Sequence, residues 1–259
     1  MQRMLPRVIP VLLLRKNGLY KTRKFKDPRY VGDPINAVRI FNEKEVDELI
    51  FLDIEASKAA TAPNLRAIAD MTRECFMPLC YGGGLSSLAD IEKILRLGVE
   101  KVAINTALFY QPEFVREAVK EFGGSTIVAS IDYKKSMWGK NTVFVKGGST
   151  STKRELREYA KAVEDIGAGE VLLNSIERDG TNAGYDIVTL TEISQVLGVP
   201  LVACGGAGSM EDIKLAIDQG KASAAAAGAF FVFVGKHRAV LINYPSQDEI
   251  RKTIGSDQS

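Results

Sequence analysis

Short apolar runs recur along the chain, each closed by a turn and followed by a stretch whose apolar positions fall at helical spacing. The runs are Val8–Leu14, Glu48–Ile54, Pro78–Tyr81, Lys101–Asn105, Thr126–Asp132, Glu170–Ser175, Leu201–Cys204 and Ala224–Ala227. Amphipathic segments such as Leu88–Leu97, Lys153–Ile166 and Glu211–Gln219 lie between them. Continuous rather than alternating apolar character suits strands covered on both faces, hence parallel strands joined by right-handed helical crossovers. Eight such units in 259 residues predict a closed (β/α)8 TIM barrel, with an open doubly wound sheet as the competing arrangement.

An internal repeat favours the barrel. Residues 78–109 align without gaps to 200–231, with eleven identities in thirty-two positions, among them Gly83/Gly205, Gly84/Gly206, Asp90/Asp212 and Gly98/Gly220. The same offset pairs Glu48–Ile54 with Glu170–Ile176, and a slightly different one pairs Arg7–Leu13 with Thr126–Asp132. The chain therefore reads as a duplicated half-barrel with two-fold pseudosymmetry, one domain over residues 1–259.

Composition narrows the chemistry. The 34 Lys and Arg against 32 Asp and Glu leave a formal charge of +2, too small to announce a nucleic-acid or membrane partner. Three cysteines without a CxxC spacing argue against a disulfide framework or a structural zinc site and suit a reducing cytoplasm. The first ten residues lack a signal-peptide pattern, and the most apolar run, Ala222–Val234, is too short to span a bilayer. It predicts a buried strand and a helix start. His237 is the single histidine, which removes a His pair, a multi-His metal site and, very nearly, a Ser-His-Asp triad. Neither a metal nor an organic cofactor is expected.

Two glycine-rich turns, Gly82-Gly83-Gly84 and Gly205-Gly206-Ala207-Gly208, each follow a strand and precede a helix. Glycine lets backbone N–H groups approach an anion, and the next helix adds its positive end. A further strand end accompanies each, Asn105-Thr106 in one half and Ala227-Gly228 in the other. Two symmetric cradles at one barrel mouth suit a substrate with a phosphate at each end. Asp132 closes the fifth strand after apolar residues, where partial burial would raise its pKa and fit it for acid or base work. Asp53 and Asp179, at the ends of strands two and six, read as orienting or hydrogen-bonding groups.

These motifs carry a resemblance. GDP (Gly32–Pro34), DELIFLDI (Asp47–Ile54), PLCYGGG, EKVAIN, VASID, GAGEVLLNS, RDGTNAGYD and ACGGAG make the chain similar, from Arg7 to about Phe233, to the HisF family, the cyclase subunit of imidazole glycerol phosphate synthase. The resemblance implies a HisH-like glutaminase docked at the barrel's N-terminal face, with ammonia crossing the core to a bis-phosphorylated ribosyl-imidazolecarboxamide at the other face. It implies an ammonia gate made by Arg7, Glu48, Lys101 and Glu170, all placed at strand starts. It also implies phosphate contacts at Gly84, Asn105 and Thr106, and at Asp179, Gly180, Gly206, Ala227 and Gly228. Lys21 matches a mobile-loop lysine that covers substrate, and Glu100 an acidic position that contacts the glutaminase.

The catalytic pair is incomplete. The family uses aspartates at the ends of strands one and five, and Asp132 is the second. Leu13 stands at the first position, as the repeat independently shows by pairing Leu13 with Asp132. Glu55 and Asn174 replace threonines and Cys204 a serine in the same mouth. The first loop is unusually basic, with Arg15, Lys16, Lys21, Arg23, Lys24, Lys26 and Arg29, either a solvated loop or a lid over a more anionic substrate. The related HisA isomerases also need the missing aspartate and fit no better. The chain is closer to HisF-like paralogues of surface-polysaccharide sugar amidation, which implies a third, ATP-using amidotransferase as a partner. The histidine-pathway cyclase and a non-catalytic, ammonia-routing scaffold are the alternatives.

Overall fold

The structure is a computed structural model that describes residues 6–136, 139–235 and 237–255. The termini and the three internal positions included in the domain reading over 1–259 lie outside these residues. Eight parallel strands form the barrel: β1 (Arg7–Arg15), β2 (Leu49–Asp53), β3 (Leu79–Gly82), β4 (Lys101–Ile104), β5 (Ile127–Lys135), β6 (Glu170–Ser175), β7 (Leu201–Cys204) and β8 (Ala224–Ala227). Each pairs with its neighbour, and both β1–β8 and β5–β6 ladders are present, so the sheet closes on itself. The predicted strands match to within a few residues at each end.

Seven crossover helices and one that follows the last barrel strand surround the sheet: α1 (Pro34–Glu43), α2 (Leu65–Glu74), α3 (Leu88–Arg96), α4 (Pro112–Phe122), α5 (Leu156–Glu164), α6 (Ile187–Ser194), α7 (Met210–Asp218) and α8 (Gln247–Ile254). The repeat is visible in their caps. Ser87 accepts the Asp90 N–H at 3.2 Å at the start of α3, and Ser209 accepts the Asp212 N–H at 3.1 Å at the start of α7. Such caps satisfy N–H groups that the helix itself leaves without partners. None of the described helices is long and apolar enough to cross a membrane.

Burial divides the apolar residues into two layers. Phe41, Ile68, Ile91, Val115, Leu190 and Phe231 belong to the layer between sheet and helices. Ile9, Val11, Ile50, Cys80, Ala103, Val128, Leu172, Val202, Ala224 and Ala226 fill the lumen. Inward residues of alternate strands stacking in layers make such a lumen a packed core rather than a pore.

Several expectations need correction. The basic first loop is a hairpin, Gly18–Arg23 against Lys26–Gly32, continuing antiparallel from the end of β1. Most of its second strand is exposed, so the buried-strand pattern is absent there. A second hairpin, Asn141–Val145 with Thr150–Glu155, extends β5 and takes Lys153–Glu155 out of the segment expected to be helical. The Gly147-Gly148 turn, with φ of 59° and 74°, is the sequence signal for it. Past β8 the expected helix start is a single 3-10 turn, Ala229–Phe231.

Candidate functional site

At the N-terminal end of the barrel the four expected charges meet. Arg7 bridges Glu48 and Glu170, and Lys101 bridges the same two carboxylates at 3.1 and 3.0 Å. Two cations and two anions alternate in a closed ring, and Glu48 is only 3% exposed. Burial opposes the Arg7 charge, but the two carboxylates outweigh it and hold its pKa above the ordinary value. Breaking such a ring by removing one member leaves a buried charge short of a partner. Glu48 immediately precedes β2, while the other three open their strands. The thiol of Cys80 sits in the lumen above the ring, its pKa pushed up by burial and by the Glu48 charge, so it behaves as an inert apolar filler.

At the opposite end the strand ends open into a cavity of about 690 Å³. That volume suits a small-molecule ligand. Both glycine-rich turns line it, together with Asn105, Thr106, Ala227 and Gly228. Glycine is required at both turns. Gly84 has φ of 71° and a Cβ there would lie 2.5 Å from the Thr61 carbonyl oxygen; at Gly206, with φ of 120°, it would lie 2.1 Å from that of Gly184. Asn105 donates from Nδ2 to the Ser130 carbonyl at 2.9 Å, and Thr106 Oγ1 accepts the Lys146 N–H at 3.1 Å.

Asp132 is 8% exposed on the cavity floor. Burial is the main cause that raises its pKa to about 7, with Asp179 adding to the effect and the Asn174 amide opposing it. Asn105 Nδ2 approaches its carboxylate at 3.4 Å. Leu13 lines the same cavity and packs with Leu52 on the lumen cluster, so the β1 side of the floor is apolar where the β5 side is polar. Cys204, also in the lining, has its thiol pushed up to about 12, chiefly by burial, and is no nucleophile at neutral pH. Asn174 keeps its side-chain oxygen buried with no partner among the described residues.

Lys21, expected in a loop that covers substrate, lines the cavity from the first hairpin. It is 4% exposed, donates from Nζ to the Val11 carbonyl, and lies where a Cβ on Gly228 would approach its Nζ to 2.7 Å. Burial lowers its pKa to about 8 against the pull of Asp179 and Cys204. Asp179 holds the hairpin that carries Lys21: its carboxylate accepts from Thr22 Oγ1 at 2.8 Å and from the Phe25 N–H at 3.3 Å, and its carbonyl from the Lys24 N–H at 2.9 Å. Gly180 follows with φ of 63°, against the Thr22 carbonyl. Asp53 likewise serves local structure, accepting the Glu55 and Ala56 N–H groups at 3.0 Å each.

The sequence reading missed Phe25, Lys58, Tyr110 and Lys146, which also line the mouth, and the Arg15–Glu55 ion pair at 2.6 Å beside it. Their spacing carries no motif. The two hairpins bring Phe25 and Lys146 to the mouth, the short helix Ala56–Ala59 brings Lys58, and the short helix Thr106–Tyr110 brings Tyr110. Among the described residues, no group of three or more His, Cys, Asp or Glu side chains is arranged to hold a metal ion.

The sequence profile of the family described as histidine biosynthesis protein matches residues 7–236. The chain belongs to that family. Within it, this is a HisF-like chain. It is 52% identical over 244 residues to hisF2 of Pseudomonas aeruginosa, covering 94% of this chain and 97% of the relative. It is 46% identical over 249 residues to hisF3 of Vibrio vulnificus, covering 96% of each. Both are described as putative imidazole glycerol phosphate synthase subunits. The imidazole glycerol phosphate synthase subunit HisF of Alkaliphilus metalliredigens is 37% identical over 225 residues, covering 87% of this chain and 89% of the relative.

Proposed function

We propose that this HisF-like chain is the ammonia-accepting synthase subunit of a two-component glutamine amidotransferase. A HisH-like glutaminase binds the N-terminal face, and ammonia enters past Arg7, Glu48, Lys101 and Glu170. A lumen of apolar side chains favours neutral ammonia over ammonium, since burying a lone charge is costly. The acceptor is a phosphorylated small molecule, held between Gly84/Asn105/Thr106 and Gly206/Ala227/Gly228 mainly by backbone N–H groups. Lys21, beside Gly228, adds charge to the second cradle. No cofactor takes part.

At a pKa of about 7, Asp132 is present in both protonation states near neutrality. It accepts a proton from the attacking nitrogen and returns it later in the cycle. The observation that carries the choice of role is Leu13: leucine transfers no proton, so β1 supplies no partner to Asp132. We therefore assign the chain to sugar amidation in surface-polysaccharide synthesis, yielding an acetamidino sugar with a third, ATP-using enzyme. Similarity to HisF subunits of imidazole glycerol phosphate synthase supports a second reading, in which the chain is the histidine-pathway cyclase. A barrel that only activates the glutaminase and routes ammonia is the non-catalytic alternative.

Ammonia-dependent turnover of the bis-phosphorylated ribosyl-imidazolecarboxamide separates these roles. Turnover at least about 100-fold below a two-aspartate cyclase is expected, the scale of a lost general acid or base. Leu13→Asp should restore part of it. Ordinary cyclase turnover by the unmodified chain would overturn the sugar-amidation role.

A further inference from the structure

Phe76 stands in the loop between α2 and β3 with 87% of its surface exposed, the most exposed large hydrophobic residue among those described. Its loop is not loose. The Phe76 N–H donates to Asn42 Oδ1 at 3.1 Å, while Asn42 Nδ2 donates to the Glu74 carbonyl at 2.5 Å. Arg39 grips the Glu74 carboxylate through two hydrogen bonds of 3.0 Å. Side chains from α1 thus hold the backbone on both sides of Cys75, and the ring of Phe76 is presented to solvent from a fixed base. Association then costs less ordering than it would for a mobile loop.

The loop leads into the N-terminal end of β3. Two residues on, the Pro78 carbonyl accepts the Leu49 N–H at 2.9 Å, next to Glu48 of the charged ring. The Leu79 carbonyl accepts the Glu100 N–H at 2.9 Å, next to Lys101. Glu100 is exposed and within electrostatic reach of Cys75. Phe76 therefore lies at the edge of the ring's face with a carboxylate beside it. A rigid aromatic surrounded by polar positions has the character of an interface anchor.

We infer that Phe76 anchors the glutaminase subunit, inserting into an apolar socket that is flanked on the partner by Lys or Arg facing Glu100. The inference rests on the reading that a glutaminase covers this face, because any subunit sealing the ring must also pass over or beside Phe76. It adds which residue supplies the affinity and what the partner must present.

The test uses the full chain and the purified HisH-like glutaminase, titrated calorimetrically, with glutaminase turnover as a second readout. Phe76→Ala should weaken binding by at least about 30-fold, the scale of an aromatic anchor, while Phe76→Tyr stays within a few-fold. Glu100→Lys should cost about tenfold, mainly in association rate. Circular dichroism of each variant checks that the barrel is intact. If the unmodified chain binds and Phe76→Ala binds equally well, the anchor is refuted while the glutaminase reading stands. If the unmodified chain does not bind at micromolar concentration, the glutaminase reading itself fails. Self-association of the chain that disappears with Phe76→Ala would give the surface to a second copy and overturn the inference.

Discussion

At the N-terminal end of the barrel, Arg7, Glu48, Lys101 and Glu170 neutralise one another in a ring in which every charge touches two of opposite sign. At the C-terminal end, Asp132 shares its buried surroundings with Asp179, and Leu13 makes the β1 side of the cavity floor apolar. Lys21 spends its donor on a carbonyl rather than on a carboxylate. Charges at the first end are each paired with two of opposite sign, whereas two groups at the second have pKa values moved to about 7 and about 8. Burial without a matched partner moves a group into the working range, and the two ends of the barrel differ in that matching.

The sharpest way to break this contrast is to unmatch the ring. Lys101→Met leaves Glu48 and Glu170 sharing Arg7 alone, and stability should fall by about 3 kcal/mol, read as a lower denaturant midpoint with unchanged slope. If the glutaminase is bound, the same variant should leak ammonia into solution without releasing the partner. A loss below about 0.5 kcal/mol would mean that water already screens the ring.

Asp132 should behave in the opposite way. Its folded pKa of about 7 exceeds the ordinary carboxylate value, so between about pH 4 and 7 the unfolded chain has released a proton that the folded chain keeps. Stability therefore falls as pH rises through that window. Asp132→Asn removes the penalty: it should be near neutral at pH 4 and stabilising by about 2 kcal/mol at pH 8, while turnover drops about 100-fold. Thermal melts at the two pH values check the first part and kinetics the second.

Lys21 sharpens the same point with a smaller effect. Its folded pKa lies below the ordinary lysine value, so stability rises with pH from about 8 to 10.5. Lys21→Met should gain about 1 kcal/mol below pH 8, less than the full shift because the bond to the Val11 carbonyl is lost, and the gain should vanish near pH 10.5. The variant should also weaken phosphate at the Gly228 side and leave the Gly84 side unchanged, as titration with inorganic phosphate would show.

Much of the site was legible because the repeat made it so. Gly83-Gly84 and Gly205-Gly206 align, and Leu13 falls opposite Asp132, so the difference between the two halves can be seen without any structure. The ring was expected from the resemblance to the HisF family, with which the placement of four charges at strand starts agrees. Phe25 and Lys146 were not legible, because they reach the mouth through hairpins whose strands are largely exposed, and Lys58 and the Arg15–Glu55 pair were not, because their spacing carries no motif. Phe76 gave no signal either, since a lone aromatic between a helix and a strand reads as ordinary core.

What the sequence by itself determined is therefore the barrel, its duplication and the identity of the groups at each end. Apolar periodicity and repeat spacing are local properties that the chain carries wherever it folds. Only the tertiary structure decided the state of those groups: Asp132 at about 7, Lys21 buried on Val11, Asp179 committed to the hairpin and Phe76 left in solvent. Burial and partnering are set by residues distant in sequence, and a titrating side chain responds to the sum of them.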